Sequence, residues 1–378
     1  MKRVYLDYAA TTPVDFRVLK AMEPFWHNKF GNTMSLHSFG QEAKAALEKS
    51  RREIADFINA DSSEIIFTGS ATESNNTVLK GIRGGHVIIS SIEHPCIMES
   101  AEWLEKQGVK VTRIPVDRHG SVNPADIEKA ITKDTVLVSV IHASNEIGTI
   151  QPIREIGGIC RQKGVLFHTD AVQSFGKIPI DVREMNIDLL TASSHKLYGP
   201  KGAALLFLRQ GVEIEPLLHG GGQERGLRSS TVNIPAIAGF AKAVQIAGKE
   251  MAKESKRQMR LRDKIIKEVL KIENSYLTGA PEKRLPNNAS FYFSFVEGES
   301  IILHLDFLGV SASTGSACSS HNLQASHVLL ATGLKHDQAH GSLRISLGRG
   351  TTEKEIDYFI KVLPGIINKL RKISPYGK

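Results

Sequence analysis

The sequence predicts an α/β fold, with a mainly parallel seven-stranded sheet in a large domain and a smaller α+β domain beside it. Three observations carry this expectation. Seven short apolar runs alternate with segments of helical period between residues 65 and 208. Polar residues cluster just after several of those runs, where open α/β sheets bind their ligands. Beyond residue 255 the alternation gives way to a few strand-like runs and further helices.

Taken in order, residues 4–7 read as a short extended segment, and Thr11, Thr12 and Pro13 as a turn. From 41 to 58, Ala43, Ala46, Leu47, Ile54, Phe57 and Ile58 recur at helical spacing with charges between them. Strands are expected at 65–67, 87–89, 111–114, 136–141, 165–168, 189–192 and 204–208, and helices at 74–81, 95–107, 124–130 and 153–163. Such alternation argues for helices on both faces of the sheet. A glycine-rich turn, Gly220-Gly221-Gly222, precedes a long helix from Pro235 to near residue 273. Strands at 289–295 and 344–346 and helices at 300–308 and 353–372 complete the pattern. The expected division is residues 16–255 for the large domain, with 1–15 and 256–378 forming the small one.

Composition narrows the function classes. The 378 residues are 41% hydrophobic and 23% charged, as in ordinary globular proteins. No apolar run approaches about 18 residues, and the start, Met1-Lys2-Arg3-Val4, lacks the apolar core of a secretion signal. A soluble, cytoplasmic protein without membrane partners is expected. Cys96, Cys160 and Cys318 are far apart and odd in number, which fits neither a disulfide framework nor a metal site. Much of the net charge of +8 falls in residues 249–271, which read as a solvated helix face. Without an aromatic-interleaved basic patch, no direct nucleic-acid partner is expected.

The chemistry gathers around Lys196. It lies in Thr191-Ala192-Ser193-Ser194-His195-Lys196-Leu197-Tyr198-Gly199-Pro200, a polar turn between apolar runs at 187–190 and 203–208. An amine is nucleophilic only when neutral, so a shielded site suits Schiff-base formation, whereas an ordinary loop would leave a solvated lysine. Thr68 to Ser74 follow a strand and open a helix, so their backbone N–H groups suit a phosphate. Asp170 ends an apolar strand. Its carboxylate either caps the next helix or meets a cation such as a protonated pyridine nitrogen. His94, just after a strand, suits a capping role or stacking on a flat cofactor. Cys318, among Ser313, Thr314, Gly315, Ser316, Ala317, Ser319 and Ser320, has few side chains to pack against, so a mobile, exposed thiol fit for nucleophilic chemistry is expected, or else a bystander. Arg344 alternates with apolar residues in a strand-like run and suits a bidentate grip on a carboxylate.

Together these segments resemble one family. Asp7 to Pro13, Ala71 to Asn76, Ser91 to His94, Asn145 to Gly148, Asp170 to Gln173, Ser193 to Lys196, residues 220–229 and the Cys318 loop occur in the order found in NifS/IscS-type cysteine desulfurases, group I. These are pyridoxal 5′-phosphate (PLP) enzymes of fold type I and aminotransferase class V, and the resemblance covers nearly the whole chain. It implies conversion of L-cysteine to L-alanine, with sulfur transferred to Cys318 as a persulfide. Lys196 would hold PLP and remove the substrate α-proton, Asp170 would pair with the ring nitrogen, His94 would stack on the ring, and Gln173 would bind the phenolic oxygen. The phosphate would meet Ala71, Thr72, Ser193 and His195, with Thr231 reaching in from a second subunit of a homodimer. Arg344, Asn145 and Asn32 would hold the substrate carboxylate. An iron–sulfur scaffold protein, or another acceptor in thio-cofactor synthesis or tRNA thiolation, would receive the sulfur.

Four departures stand out. Thr33-Met34 replace the usual Pro-Ser beside Asn32, Ser319 replaces threonine, Ser230 replaces glycine, and the sequence ends at Lys378 without the longer tail that IscS-type members turn toward scaffolds. The alternatives are a selenocysteine lyase or aminotransferase on the same scaffold, which would need no Cys318, and a non-catalytic sulfur carrier, which would need no Lys196, Asp170 or His94.

Overall fold

Each of the seven apolar runs forms a strand of one sheet. The computed structural model describes residues 3–315 and 325–374. A short β1 (Val4–Tyr5) precedes the sheet, whose strands are β2 (Ile65–Thr68), β3 (His86–Ser90), β4 (Lys110–Ile114), β5 (Thr135–Ser139), β6 (Leu166–Asp170), β7 (Leu189–Ser193) and β8 (Ala204–Leu208). Their spatial order is β2-β8-β7-β6-β5-β3-β4. Only β8 runs against its neighbours in this sheet; the other pairings are parallel. The carboxyl ends of the other six strands therefore share one edge.

Side-chain alternation explains why these runs are apolar throughout. Ile65, Phe67, Leu190 and Phe207 face one core with Leu47, Ile54, Phe240 and Val244 from the Ser38–Phe57 and Ile234–Val269 helices. Ile66, Leu189, Leu206 and Leu208 face the other, with Val78, Leu79, Ile97 and Leu104. Away from the β4 edge, whose Lys110 is exposed and whose Arg113 pairs with Glu105, both faces are covered.

A second core lies around an antiparallel sheet, β12-β10-β9, made of β9 (Ser275–Leu277), β10 (Asn288–Phe293) and β12 (Ser342–Ser346). Between β10 and β12 in sequence, β11 (Val310–Ser311) pairs in parallel with β1. Val4 and Leu6 join Leu261, Ile265, Phe291, Leu343, Phe359 and Leu363 in that core. The Ile234–Val269 helix is continuous and serves both cores, the first with Ile237 and Phe240, the second with Leu261 and Ile265.

Two local differences have physical causes. The helix expected at 74–81 spans Ala71–Gly81, because the Ser70 hydroxyl accepts the Glu73 N–H at 3.1 Å and starts it a turn early. The Phe16–Met22 helix is not evident in the sequence: Phe16 and Leu19 are exposed, so its apolar positions do not trace one face. Among the described residues no helix is long and apolar enough to cross a membrane.

Candidate active site at the carboxyl edge of the sheet

Five strand ends meet at one cavity of about 490 Å³. Gly69 to Thr72 follow β2, His94 follows β3, Asn145 follows β5, Asp170 ends β6 with Gln173 beyond it, and Ser193 ends β7 with His195 and Lys196 beyond it; all of them line it. Arg344, on β12, closes it from the second core.

Lys196 ends a 3₁₀ turn, Ser194–Lys196, running straight out of β7. The turn is held tightly. Tyr198 adopts a left-handed backbone (φ 63°), its N–H donates to Thr12 Oγ1 at 2.8 Å, and its hydroxyl accepts the Arg349 N–H at 2.7 Å. A Cβ at Gly199 would fall 2.0 Å from Ser194 Oγ, so only glycine fits there. Lys196 Nζ donates to the Ala9 and Ala10 carbonyls at 2.6 and 2.7 Å, and Gln173 Nε2 donates to the same Ala9 carbonyl at 2.9 Å. Beside it, His195 shares a hydrogen bond with Thr11 Oγ1 at 3.1 Å, and burial, with Lys196, Lys201 and Lys177 nearby, lowers its pKa to about 4. It is therefore neutral at pH 7.

Asp170 is buried, and neutral donors hold it: Asn75 Nδ2 at 2.7 Å and the Val172 N–H at 2.9 Å. A buried carboxyl group held at a cavity wall by neutral donors is suited to a cation inside the cavity. His94 caps the Pro95–Lys106 helix, its Nδ1 accepting the Cys96 N–H at 3.2 Å, while also lining the cavity. Both roles considered for it from sequence are thus compatible. That acceptor role places the proton of the neutral ring on Nε2. Burial lowers the His94 pKa, Asp170 works against the shift, and Lys196 and His327 add to it. Cys96 sits between these groups, 3.0 Å from His94 Nδ1 and 3.2 Å from Asn75 Nδ2.

Glu93, beside His94, is fully buried, and burial raises its pKa to about 8, with the Ser90 hydroxyl and Ile141 N–H opposing the shift. Folding thus retains a proton that the unfolded chain loses near pH 4.5. This contribution is fully present below pH 4.5 and is lost as pH rises toward 8, at about 1.4 kcal/mol per pH unit in that window. Glu93→Gln should flatten that stretch of the stability–pH curve in denaturant titrations. An unchanged slope would show that Glu93 does not titrate there.

Arg344, 3% exposed, donates through Nη2 to Asp7 Oδ1 at 2.9 Å and through Nη1 to the Asn145 carbonyl at 3.2 Å. Its Nε is buried and lacks a hydrogen-bond partner among the described residues. A guanidinium among the cavity-lining groups suits a small carboxylate. The N-terminus of the Ala71–Gly81 helix also lines the cavity, as do Ser193 and His195, and this set suits a phosphate. Among the described residues no group of three or more histidine, cysteine or carboxylate side chains is placed to hold a metal ion.

The model for aminotransferase class-V proteins matches residues 4–359. The chain belongs to the aminotransferase class-V family. Its likeness to the NifS/IscS-type members is equally direct. Cysteine desulfurase IscS 1 of Archaeoglobus fulgidus is 53% identical over 377 residues, 98% of each chain. A solved NifS-like protein superposes with a TM-score of 0.92 at 40% identity, covering 97% of this chain and 100% of the other. A structure described as SspA in complex with cysteine follows at 0.82 and 37%, covering 92% and 99%.

Within this class-V architecture, most residues singled out from sequence share the cavity: Ala71, Thr72, His94, Asn145, Asp170, Gln173, Ser193, His195, Lys196 and Arg344. Asn32 and Thr231 are not among its lining. The Asn32 side chain accepts the Met34 N–H at 3.0 Å, a local turn on an exposed loop. Ser230 does not adopt a left-handed backbone, so serine in place of glycine brings no strain there. Cys318 and Ser319 lie outside the described residues. Sequence reasoning gave no role to Asn75, Cys96, Asp7 or the Ala9 and Ala10 carbonyls. Asn75 had a signal, since it follows Ala71 by one helical turn and a buried amide needs a partner; backbone carbonyls leave none.

Proposed function

We propose that the protein is a cysteine desulfurase that converts L-cysteine to L-alanine and passes the sulfur to Cys318. The observation that carries this reading is the convergence of Lys196, Asp170, His94 and Arg344 on one cavity. PLP is the cofactor, and the residues fit it: an anion cradle at Gly69 to Thr72, a buried carboxyl group at Asp170, and an amine at Lys196, all lining one cavity. When bound, PLP supplies an electron sink conjugated with the substrate amino nitrogen. Asp170 would pair with the ring nitrogen, and His94 would stack on the ring. Arg344, already fixed by Asp7, would take the substrate carboxylate. Lys196 accepts the α-proton. The Cys318 thiolate attacks the substrate sulfur; an S–S bond forms, the C–S bond breaks, and its electron pair stays on the carbon side, where a proton completes alanine. The persulfide sulfur then passes to an acceptor, for which an iron–sulfur scaffold protein is the reading the resemblance favours.

Purified protein should absorb visible light, and borohydride reduction followed by peptide mapping should place the pyridoxyl group on Lys196. Lys201 lines the same cavity, so label found there would overturn the assignment.

A homodimer is part of this reading. Phe16, Trp26, Phe30, Met34 and Leu36 are exposed apolar side chains near one another in sequence, a pattern that supports burial against a second copy. Thr231 stands outside the cavity of its own chain and would complete the phosphate site of the other. Mixing Lys196→Ala and Thr231→Ala subunits should restore one intact site per heterodimer, about half the wild-type activity when every dimer is mixed. Full activity in a monomer at micromolar concentration would sink the idea.

A further inference from the structure

Resting on the PLP reading above, we infer that Arg228 is a positioning residue for the phosphate end of the cavity: it neutralises Glu73, so that the first turn of the Ala71–Gly81 helix can receive a doubly charged phosphate.

The need arises from Glu73 itself. It lies in that first turn, where its Oε2 accepts the Gly69 N–H at 2.9 Å. Gly69 is one of the cavity-lining residues, so a carboxylate sits directly behind the backbone that would cradle the anion. A lone carboxylate at a helix N-terminus is favourable, because it meets the positive end of the helix dipole. Once a second anion arrives at the same helix N-terminus, the two charges repel across poorly screened protein. Arg228 removes that conflict. Its Nε donates to Glu73 Oε1 at 2.7 Å and its Nη2 to Oε2 at 3.3 Å, with both side chains less than one-fifth exposed. A Cβ at Gly69 would lie 3.0 Å from Glu73 Oε2 and 3.3 Å from Arg228 Nη2, so the pair packs directly against the cradle backbone.

The loop carrying Arg228 is fixed by a second contact on the same segment. Glu224 accepts the Phe67 N–H at 2.8 Å and is paired with buried Arg51 at 2.7 Å. Glu224 and Arg225 are held with left-handed backbones, φ 47° and 58°, which the ion pair helps to maintain. Ser230 gives the remaining nitrogen of Arg228, Nη1, a hydroxyl acceptor. Glycine at that position would supply none. The guanidinium is thus aimed at Glu73 by contacts on both sides.

Equilibrium binding of PLP, and of pyridoxal lacking the phosphate, to the full chain stripped of cofactor tests the inference; visible absorbance is the readout. Arg228→Met should weaken PLP binding about 10-fold or more while changing pyridoxal binding less than about 2-fold, because only the phosphate meets the exposed charge. Glu73→Gln alone should leave PLP binding unchanged or tighter. The double variant Glu73→Gln/Arg228→Met should recover to within about 3-fold of wild type, since no unpaired charge remains. If Arg228→Met folds poorly, Glu73→Gln alone still decides, because weaker PLP binding there contradicts the argument. Unchanged PLP binding in Arg228→Met, equal loss of both ligands, or no recovery in the double variant would each overturn the inference while leaving the enzyme reading intact. Wild-type protein that binds no PLP would overturn both.

Discussion

Replacing Cys318 by serine is expected to leave the visible spectrum of the bound cofactor unchanged while cutting alanine release from L-cysteine by at least ~10²-fold. The serine hydroxyl keeps the size of the side chain but is far too weakly acidic to supply a sulfur-seeking anion near neutral pH. The two other thiols cannot stand in. Cys160 is fully buried in the sheet core, where burial pushes its pKa up to about 12. Cys96 lines the cavity and is nearer the chemistry, but burial and the Asp170 charge push its pKa up to about 12 as well. Its sulfur is also engaged by His94 and Asn75. Thiolate is therefore scarce at both positions, and Cys96→Ser and Cys160→Ser should keep most of the activity. Alanine formation in the three single variants, with the persulfide located by mass spectrometry, checks this. Near-normal turnover in Cys318→Ser would move the protein to a lyase mechanism that expels the chalcogen without an enzyme thiol.

The seven strands of the large sheet were legible because each is a short apolar run ended by a change in polarity, and β2, β7 and β8 are buried along their whole length. Site residues were legible for a related reason. Lysine, aspartate and histidine at the ends of such runs stand out against the apolar residues before them, even where, as with His94, the side chain also caps a helix. What stayed hidden was of two kinds. Contacts made by backbone carbonyls, as from Ala9 and Ala10 to Lys196, depend on the path of the chain and not on residue type. Pairs distant in sequence, such as Arg344 with Asp7 or Arg228 with Glu73, combine ordinary surface residue types whose partners only the fold selects. The Phe16–Met22 helix was hidden for a third reason: two of its apolar side chains face outward, so no amphipathic stripe marks it.

The second large effect should come from Asp170→Asn. The substitution keeps shape and volume but removes the one charge that β6 delivers to the cavity. Asn75 Nδ2 and the Val172 N–H, which donate to Asp170 now, would both still find an acceptor in the new amide oxygen only if they could share it. Otherwise one buried donor loses its acceptor, a local cost of about 1–3 kcal/mol that leaves the surrounding strand in place. On the proposed reading the counter-charge for a protonated ring nitrogen is lost, and removing a preorganised charge from a shielded site costs ~10²–10³-fold in rate. Loss of α-proton removal should dominate, so exchange of the cysteine α-hydrogen with solvent D₂O should fall in step with alanine release. Cofactor should remain attached to Lys196, because that attachment does not use the carboxylate. Two controls separate this from general damage: thermal unfolding within a few degrees of wild type, and unchanged peptide mapping of the reduced cofactor on Lys196. If α-hydrogen exchange stays at the wild-type rate in Asp170→Asn, the carboxylate is a structural cap after all, and the electron sink must be sustained without it.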